Sequence, residues 1–269
     1  MNDLSEKSGQ LNQRISKYID ELATLTDEAR ASAAMQAYLE GCARFHRYSP
    51  HNQLLIMLAR PDASRVAGYR DWITHHRYVR KGEKGIPILA PCKTRPKDDE
   101  EDPRLYFRVV YVFDVSQTDG EPLPPPPDWK SPEKNRELSD RLIAVAERLG
   151  IPFSVGALTG TAQGVSRKNG GIQVIPEAGT LTMIHELAHQ LMGHHDADFS
   201  HAERECEAEA VGFVVASHFG LRELNSPNYL ALWNVDPTII RSRIERISRC
   251  GSQIISELEA NPSCKPEKE

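Results

Sequence analysis

Apolar residues recur at helical spacing twice near the start of the chain, at Leu11, Ile15, Tyr18, Ile19 and Leu22 and again at Met35, Tyr38, Leu39, Cys42 and Phe45, which predicts two amphipathic helices. Asn52 to Arg60 predicts a third, stopped by Pro61. The pattern then changes: Arg80-Lys81-Gly82-Glu83-Lys84-Gly85 reads as a turn, and Ile86 to Ala90 and Leu105 to Phe113 read as strands on either side of an acidic loop, Pro96 to Pro103. The proline run between Glu121 and Asp128 suits neither a helix nor a central strand and marks a stiff linker. Beyond it, Leu142, Val145, Ala146 and Leu149 return to helical spacing up to Gly150, and Thr161 to Ser166 with Gly171 to Ile175 flank an Asn169-Gly170 turn suited to a hairpin. Further helices are predicted over Thr180 to Gly193, Glu203 to Phe219, Ile239 to Ile247 and Gln253 to Leu258. The expected fold is α+β: N-terminal helices plus a small antiparallel sheet in residues 1–127, then a mainly helical domain with a β-hairpin in residues 128–269.

Composition changes this picture little. A chain of 269 residues with 39% hydrophobic and 26% charged positions has enough apolar surface for a packed core, which excludes wholesale disorder, collagen and coiled coil. No run approaches the roughly 18 apolar residues of a membrane helix, and the first thirty residues lack an apolar signal-peptide centre, so a cytoplasmic protein is expected. The five cysteines are scattered with no CxxC spacing, so any metal must find other ligands. The net charge of −5 hides an asymmetry: Arg44 to Lys97 holds twelve basic residues against three acidic ones. Such a stretch suits an anionic partner.

The strongest chemical signal is His185-Glu186-Leu187-Ala188-His189. Residues four apart share a helix face, so both imidazoles can reach one ion while Glu186 projects beside them toward water. The third ligand has several candidates. His195 follows His189 by six residues, as in the HExxHxxGxxH pattern of metzincins, but Met192 stands where that pattern has glycine and no later methionine can form a Met-turn. The next predicted helix offers Glu205, Glu207 and Glu209. Glu205 would share its stripe with Ala208 and Gly212, whose small size lets two helices approach, and would leave Glu209 to accept a hydrogen bond from a ligand imidazole.

The HELAH helix followed by Glu205-Cys-Glu-Ala-Glu-Ala-Val-Gly212 resembles the HExxH and ExEANxFA pair of ImmA/IrrE-type metallopeptidases, with Glu209 and Val211 where that pattern has Asn and Phe. The resemblance implies a gluzincin-like domain, zinc (Zn2+) held by His185, His189 and Glu205, Glu186 as catalytic base, and a protein or peptide substrate. The strand Gly171 to Ile175 could offer its edge to that substrate, and His195, His201 or Tyr229 could stabilise an oxyanion.

In the basic stretch, Phe45, Tyr48, Tyr69, Trp72 and Tyr78 interleave with the cations, a combination that tracks phosphates and stacks on unpaired bases. Phe45-His-Arg-Tyr-Ser-Pro-His-Asn52, Val66-Ala-Gly-Tyr-Arg-Asp-Trp72 and Val79-Arg-Lys-Gly-Glu-Lys-Gly-Ile86 resemble the N-terminal single-stranded-DNA-binding domain of ArdC-type antirestriction proteins. That family also places an HExxH domain after it. The resemblance implies antirestriction or mobile-element biology, with Arg80, Lys81 and Lys84 on the DNA backbone and Tyr69 or Trp72 stacking on bases. The expected function is therefore a single-stranded-DNA-binding protein with a zinc-dependent endopeptidase domain. The alternatives are a DNA-binding protein whose metal is structural and a metal-dependent hydrolase acting on DNA.

Overall fold

The computed structural model describes residues 2–23, 28–93, 105–123, 132–168, 171–195, 199–221 and 237–260. In chain order these form α1 (Asn2–Ala23), α2 (Glu28–Arg44), α3 (Pro50–Ala59), β1 (Val66–Gly68), α4 (Tyr69–Thr74), β2 (Arg77–Val79), β3 (Ile86–Lys93), β4 (Leu105–Asp114), a 3-10 turn (Val115–Gln117), β5 (Thr118–Gly120), α5 (Pro132–Arg148), β6 (Phe153–Val155), β7 (Gly164–Ser166), β8 (Ile172–Val174), α6 (Thr180–Leu191), α7 (His201–His218) and α8 (Pro237–Glu259). The fold is α+β. It divides into two compact units, residues 1–21 with 51–125, and residues 22–50 with 126–269. One crossing falls in the proline run, where the sequence places its linker. The other differs from the expected continuous 1–127 domain, because residues 22–50, with α2, pack with the second unit.

In the first unit β1, β4 and β3 form an antiparallel sheet in that order, with β3 and β4 paired from Ile86↔Val112 to Lys93↔Leu105. β3 is an edge strand, which is where Pro87 and Pro91 are tolerated. Asn52 of α3 binds both backbone groups of Leu89, Nδ2 to O and Oδ1 from N, each at 2.9 Å, so the strand's interior polar groups find partners. Asp114 ends β4 and caps the 3-10 turn, accepting from the backbone N–H groups of Ser64 (2.8 Å), Arg65 (3.1 Å) and Ser116 (2.9 Å).

In the second unit α7 is buried nearly all round, with Ala208, Ala210, Val211, Val214, Val215 and Ala216 fully inaccessible, and α2, α6 and α8 pack against it. Tyr38 of α2 donates its hydroxyl to Ile244 O of α8 at 3.2 Å. The two helices expected near the C-terminus are one. A Cβ at Gly251 would come within 2.7 Å of Val214 Cγ1, so the glycine that interrupts the apolar pattern is a packing contact rather than a helix end. β6 and β7 flank β8, parallel and antiparallel respectively. The predicted hairpin is β7–β8, beginning at Gly164 rather than Thr161, and its Asn169-Gly170 turn lies outside the described residues, as do the acidic loop and most of the proline run. Among the described residues no helix is long and apolar enough to cross a membrane.

Candidate metal centre and nucleic-acid surface

Ile184, Leu187 and Ala188 are buried to 1% exposure or less, which turns the adjacent face of α6, bearing His185 and His189, toward the first turns of α7. There Glu205 Oε2 lies 3.1 Å from His185 Nε2, and Glu205 Oε1 lies 3.5 Å from His189 Nε2. The two Nε2 atoms are 3.0 Å apart, and one ligand atom from each residue falls within 4.8 Å of the others. Two imidazoles bound to one tetrahedral zinc at about 2.0–2.1 Å place their nitrogens roughly 3.3 Å apart, so this donor set and spacing fit a divalent ion of borderline softness. Ala208 is fully buried as expected, but a Cβ at Gly212 would meet nothing within 4 Å, so the approach of the helices does not depend on that glycine.

The support of His189 differs from expectation. Glu209 is exposed, pointing away from the ligand imidazoles. His189 Nδ1 lies instead 2.9 Å from His194 Nδ1, and His194 Nε2 lies 3.0 Å from Glu207 Oε2. With Nε2 of His189 directed at the centre, its Nδ1–H donates to His194, whose Nε2–H donates to Glu207. Arg246 completes the chain, donating to Glu207 Oε2 (3.2 Å) and Met192 O (2.9 Å). His194 and Glu207 are 1% and 0% exposed. A local turn builds this arrangement: Gly193, at φ +65, ends α6 in the left-handed region, and His194 N–H then returns to His189 O at 3.2 Å. Burial, with His185 and His194 alongside, pushes His189 down to about 3, so its ring stays neutral.

Glu186 is 8% exposed on the wall of a cavity of about 360 Å³ that also reaches Gly164, Ser166, His195, His201 and Arg204. Burial raises its carboxyl above the usual range, nearby His185 opposes that rise, and the Ser166 backbone N–H binds the carboxylate. Gly164 is what lets β7 lie so close: a Cβ there would stand 2.8 Å from both Glu186 Cγ and Thr182 Cγ2. β8, expected to offer a free edge, is paired on both sides; β7 is the edge strand beside the cavity. Gln163 and Arg167 bond to Ile175 and Gly171, which flank β8, so the backbone groups of Gly164 and Ser166 between them face outward. His195 Nε2 lies 2.8 Å from Ser166 Oγ, outside the ligand cluster, and His201 is exposed with Nδ1 3.6 Å from Glu205 Oε1. Cys206, next to Glu205, is buried and its thiol is pushed up to about 12. Tyr229 lies outside the described residues.

In the first unit Trp72 does not offer a stacking face. It is 2% exposed and its Nε1–H donates to Phe113 O at 2.9 Å. Arg80 is tied into its turn by Glu83 (2.7 Å), Asp119 (3.4 Å) and Ser116 O (2.6 Å), while Lys81 and Lys84 are exposed. Tyr69 is 53% exposed, and the structure adds rings not singled out in the sequence: Tyr106, Phe107 and Tyr111 of β4 are 48–52% exposed. Phe107 and Tyr111 lie on the face of β4 opposite the buried Val112, across from Pro91 and Pro87 of β3. Alternation in Leu105 to Phe113 was the available sign, but it does not say which face is covered.

An α+β molecule with an HExxH helix, a glutamate from the following helix and a basic, aromatic first unit is the class these observations define. Residues 9–145, half of the chain, match the model of the N-terminal domain of anti-restriction factor ArdC, and the chain belongs to that family. An uncharacterized protein of Bacillus anthracis is 25% identical over 294 residues, covering 89% of this chain and 50% of that protein, so the chain spans about half the length of this curated relative. Two crystal structures of the antirestriction ArdC protein from the R388 plasmid, one metal-free and one Mn(II)-bound, are 19% and 20% identical, with TM-scores of 0.47 and 0.48, over 80% of this chain and 86% of theirs.

Proposed function

We propose that this ArdC-family chain binds single-stranded DNA through its first unit and cleaves a peptide bond at the His185–His189–Glu205 centre of its second. The observation that carries the peptidase reading is the meeting of these three side chains with Glu186 in an open cavity beside the unpaired edge of β7. Zinc is the ion the donor set favours, and when bound it supplies Lewis acidity toward a carbonyl and toward water. The chain's own residues do the rest. The outward Gly164 N–H and C=O and the Ser166 C=O of β7 align an extended peptide. Glu186, kept partly proton-seeking by burial and held in place by the Ser166 N–H, accepts the proton of the attacking water and returns it to the leaving amine. Arg204, lining the same cavity, is placed to face developing negative charge on the carbonyl oxygen.

The decisive experiment compares the parent with Glu186→Gln on a quenched-fluorescence peptide library. Zinc content should be unchanged and turnover should fall by about 10²–10⁴-fold, the usual worth of a general base. Equal cleavage by both proteins would remove Glu186 from the reaction. Zinc-loaded parent without cleavage would favour the alternative, a metal that holds α6 to α7 in a DNA-binding protein.

A further inference from the structure

A second cluster in the same unit repeats the donor chemistry of the first with none of its sequence pattern. His46 follows the end of α2, His218 is the last residue of α7 and Glu259 the last of α8, and one ligand atom from each lies within 4.8 Å of the others. Both Nδ1 atoms sit on the same acceptor, Ala43 O, at 3.4 Å for His46 and 3.1 Å for His218. A carbonyl oxygen only accepts, so each Nδ1 carries a hydrogen, and in the neutral form of either ring Nε2 is the lone-pair atom, turned the other way.

Those two Nε2 atoms face the two oxygens of one carboxylate, His46 to Glu259 Oε2 at 3.3 Å and His218 to Glu259 Oε1 at 3.1 Å. Lone pairs on both nitrogens thus meet lone pairs on both oxygens. Arg47 donates to Glu259 Oε2 at 3.2 Å, which offsets the carboxylate's charge but leaves the nitrogens facing it. Protons on both rings would relieve both contacts but set two like charges on adjacent rings, whereas one cation between the three groups relieves both at once. The rings are set for this, 4.5 Å apart at 74°. His46 is buried at 9% exposure, so its Nε2 has little water to turn to.

We propose that His46, His218 and Glu259 form a second divalent-cation site, selective for zinc or a similar imidazole-binding ion, distinct from the HExxH centre. Its role is a clasp. His46 and Glu259 are 213 residues apart in the chain, and an ion bridging them closes a long loop and fastens the end of α2 to the ends of α7 and α8. Three protein ligands leave a fourth position for water at the exposed side of Glu259.

The test uses the full chain carrying His185→Ala and Glu205→Ala, which silences the first centre. Isothermal titration with Zn2+ and elemental analysis after gel filtration should give one zinc per chain, and zinc should raise Tm by several degrees. Adding Glu259→Gln, which keeps the side chain's size and an acceptor for Arg47, should weaken zinc binding at least tenfold and abolish the Tm shift. No zinc in the double variant, or binding indifferent to both Glu259→Gln and His218→Ala, would overturn the proposal. Should the double variant not fold, zinc-edge anomalous diffraction from crystals of the parent decides: a peak between His46, His218 and Glu259 is expected, and its absence when the HExxH centre is occupied overturns the clasp. Failure of the HExxH reading looks different, since the parent would then hold one zinc that survives loss of His185 and Glu205.

Discussion

Glu205 and Glu209 sit one helical turn apart, yet only Glu205 faces His185 and His189, while Glu209 looks into solvent. Glu205→Ala should therefore reduce zinc per chain at the HExxH centre to a small fraction of the parent value, and Glu209→Ala should leave it unchanged, by elemental analysis. Gly164 sets a tighter limit. A methyl group there overlaps the Glu186 side chain and must push it or β7 aside, which moves the base without touching a ligand. Gly164→Ala should keep its zinc and lose at least about tenfold in kcat, because small misplacements of a reacting group are costly. HExxH was legible because four-residue spacing alone puts two imidazoles on one face. His194 and Glu207 were not, because their meeting depends on the left-handed turn at Gly193 and on which face of α7 is covered. Trp72 shows the same limit: composition gives a ring, and only packing tells whether it stacks on bases or fills the core.

The long helices were readable from period, whereas three-residue β1, β2, β5 and β6 carry too few positions to show one. Such short elements hold by specific polar contacts, and Asp114 is the clearest. Its Oδ2 accepts from Ser64 and Arg65 and its Oδ1 from Ser116. Burial works against its ionised form, but the Ser116 hydroxyl and these backbone N–H groups outweigh it and hold the carboxyl below the ordinary Asp range. A carboxyl whose folded pKa is depressed stabilises the fold above its unfolded pKa and loses that contribution as pH falls through the folded value. Asp114→Asn turns an NH₂ toward one of the donors and should cost about 1–3 kcal/mol at neutral pH. In urea titrations from pH 7 down to pH 2, the gap between parent and variant should narrow below the ordinary Asp range. A gap constant with pH would mean that the charge of Asp114 does not matter.

At the scale of the whole molecule, the proposed DNA binding rests on the basic stretch between Arg44 and Lys97 and the exposed rings of β4, and the proposed metal chemistry on the histidine clusters. Sequence order blurs this, because residues 22–50 carry part of the basic run yet pack with the second unit, a long-range association that no local pattern encodes. The two functions should therefore respond to different treatments. Phosphate contacts release counterions, so the logarithm of oligonucleotide affinity should fall linearly with the logarithm of salt concentration, and Lys81→Ala with Lys84→Ala should make that slope shallower. Replacing Phe107 and Tyr111 by Ala should weaken binding at every salt concentration by about 1–3 kcal/mol per stacked base while leaving the slope nearly unchanged. EDTA should abolish peptide cleavage and lower Tm through loss of metal from the second unit, yet leave fluorescence anisotropy with a single-stranded oligonucleotide unaltered. Loss of DNA binding on chelation would tie the first unit's surface to the metal, and a salt-independent affinity would take the lysines off the nucleic acid altogether.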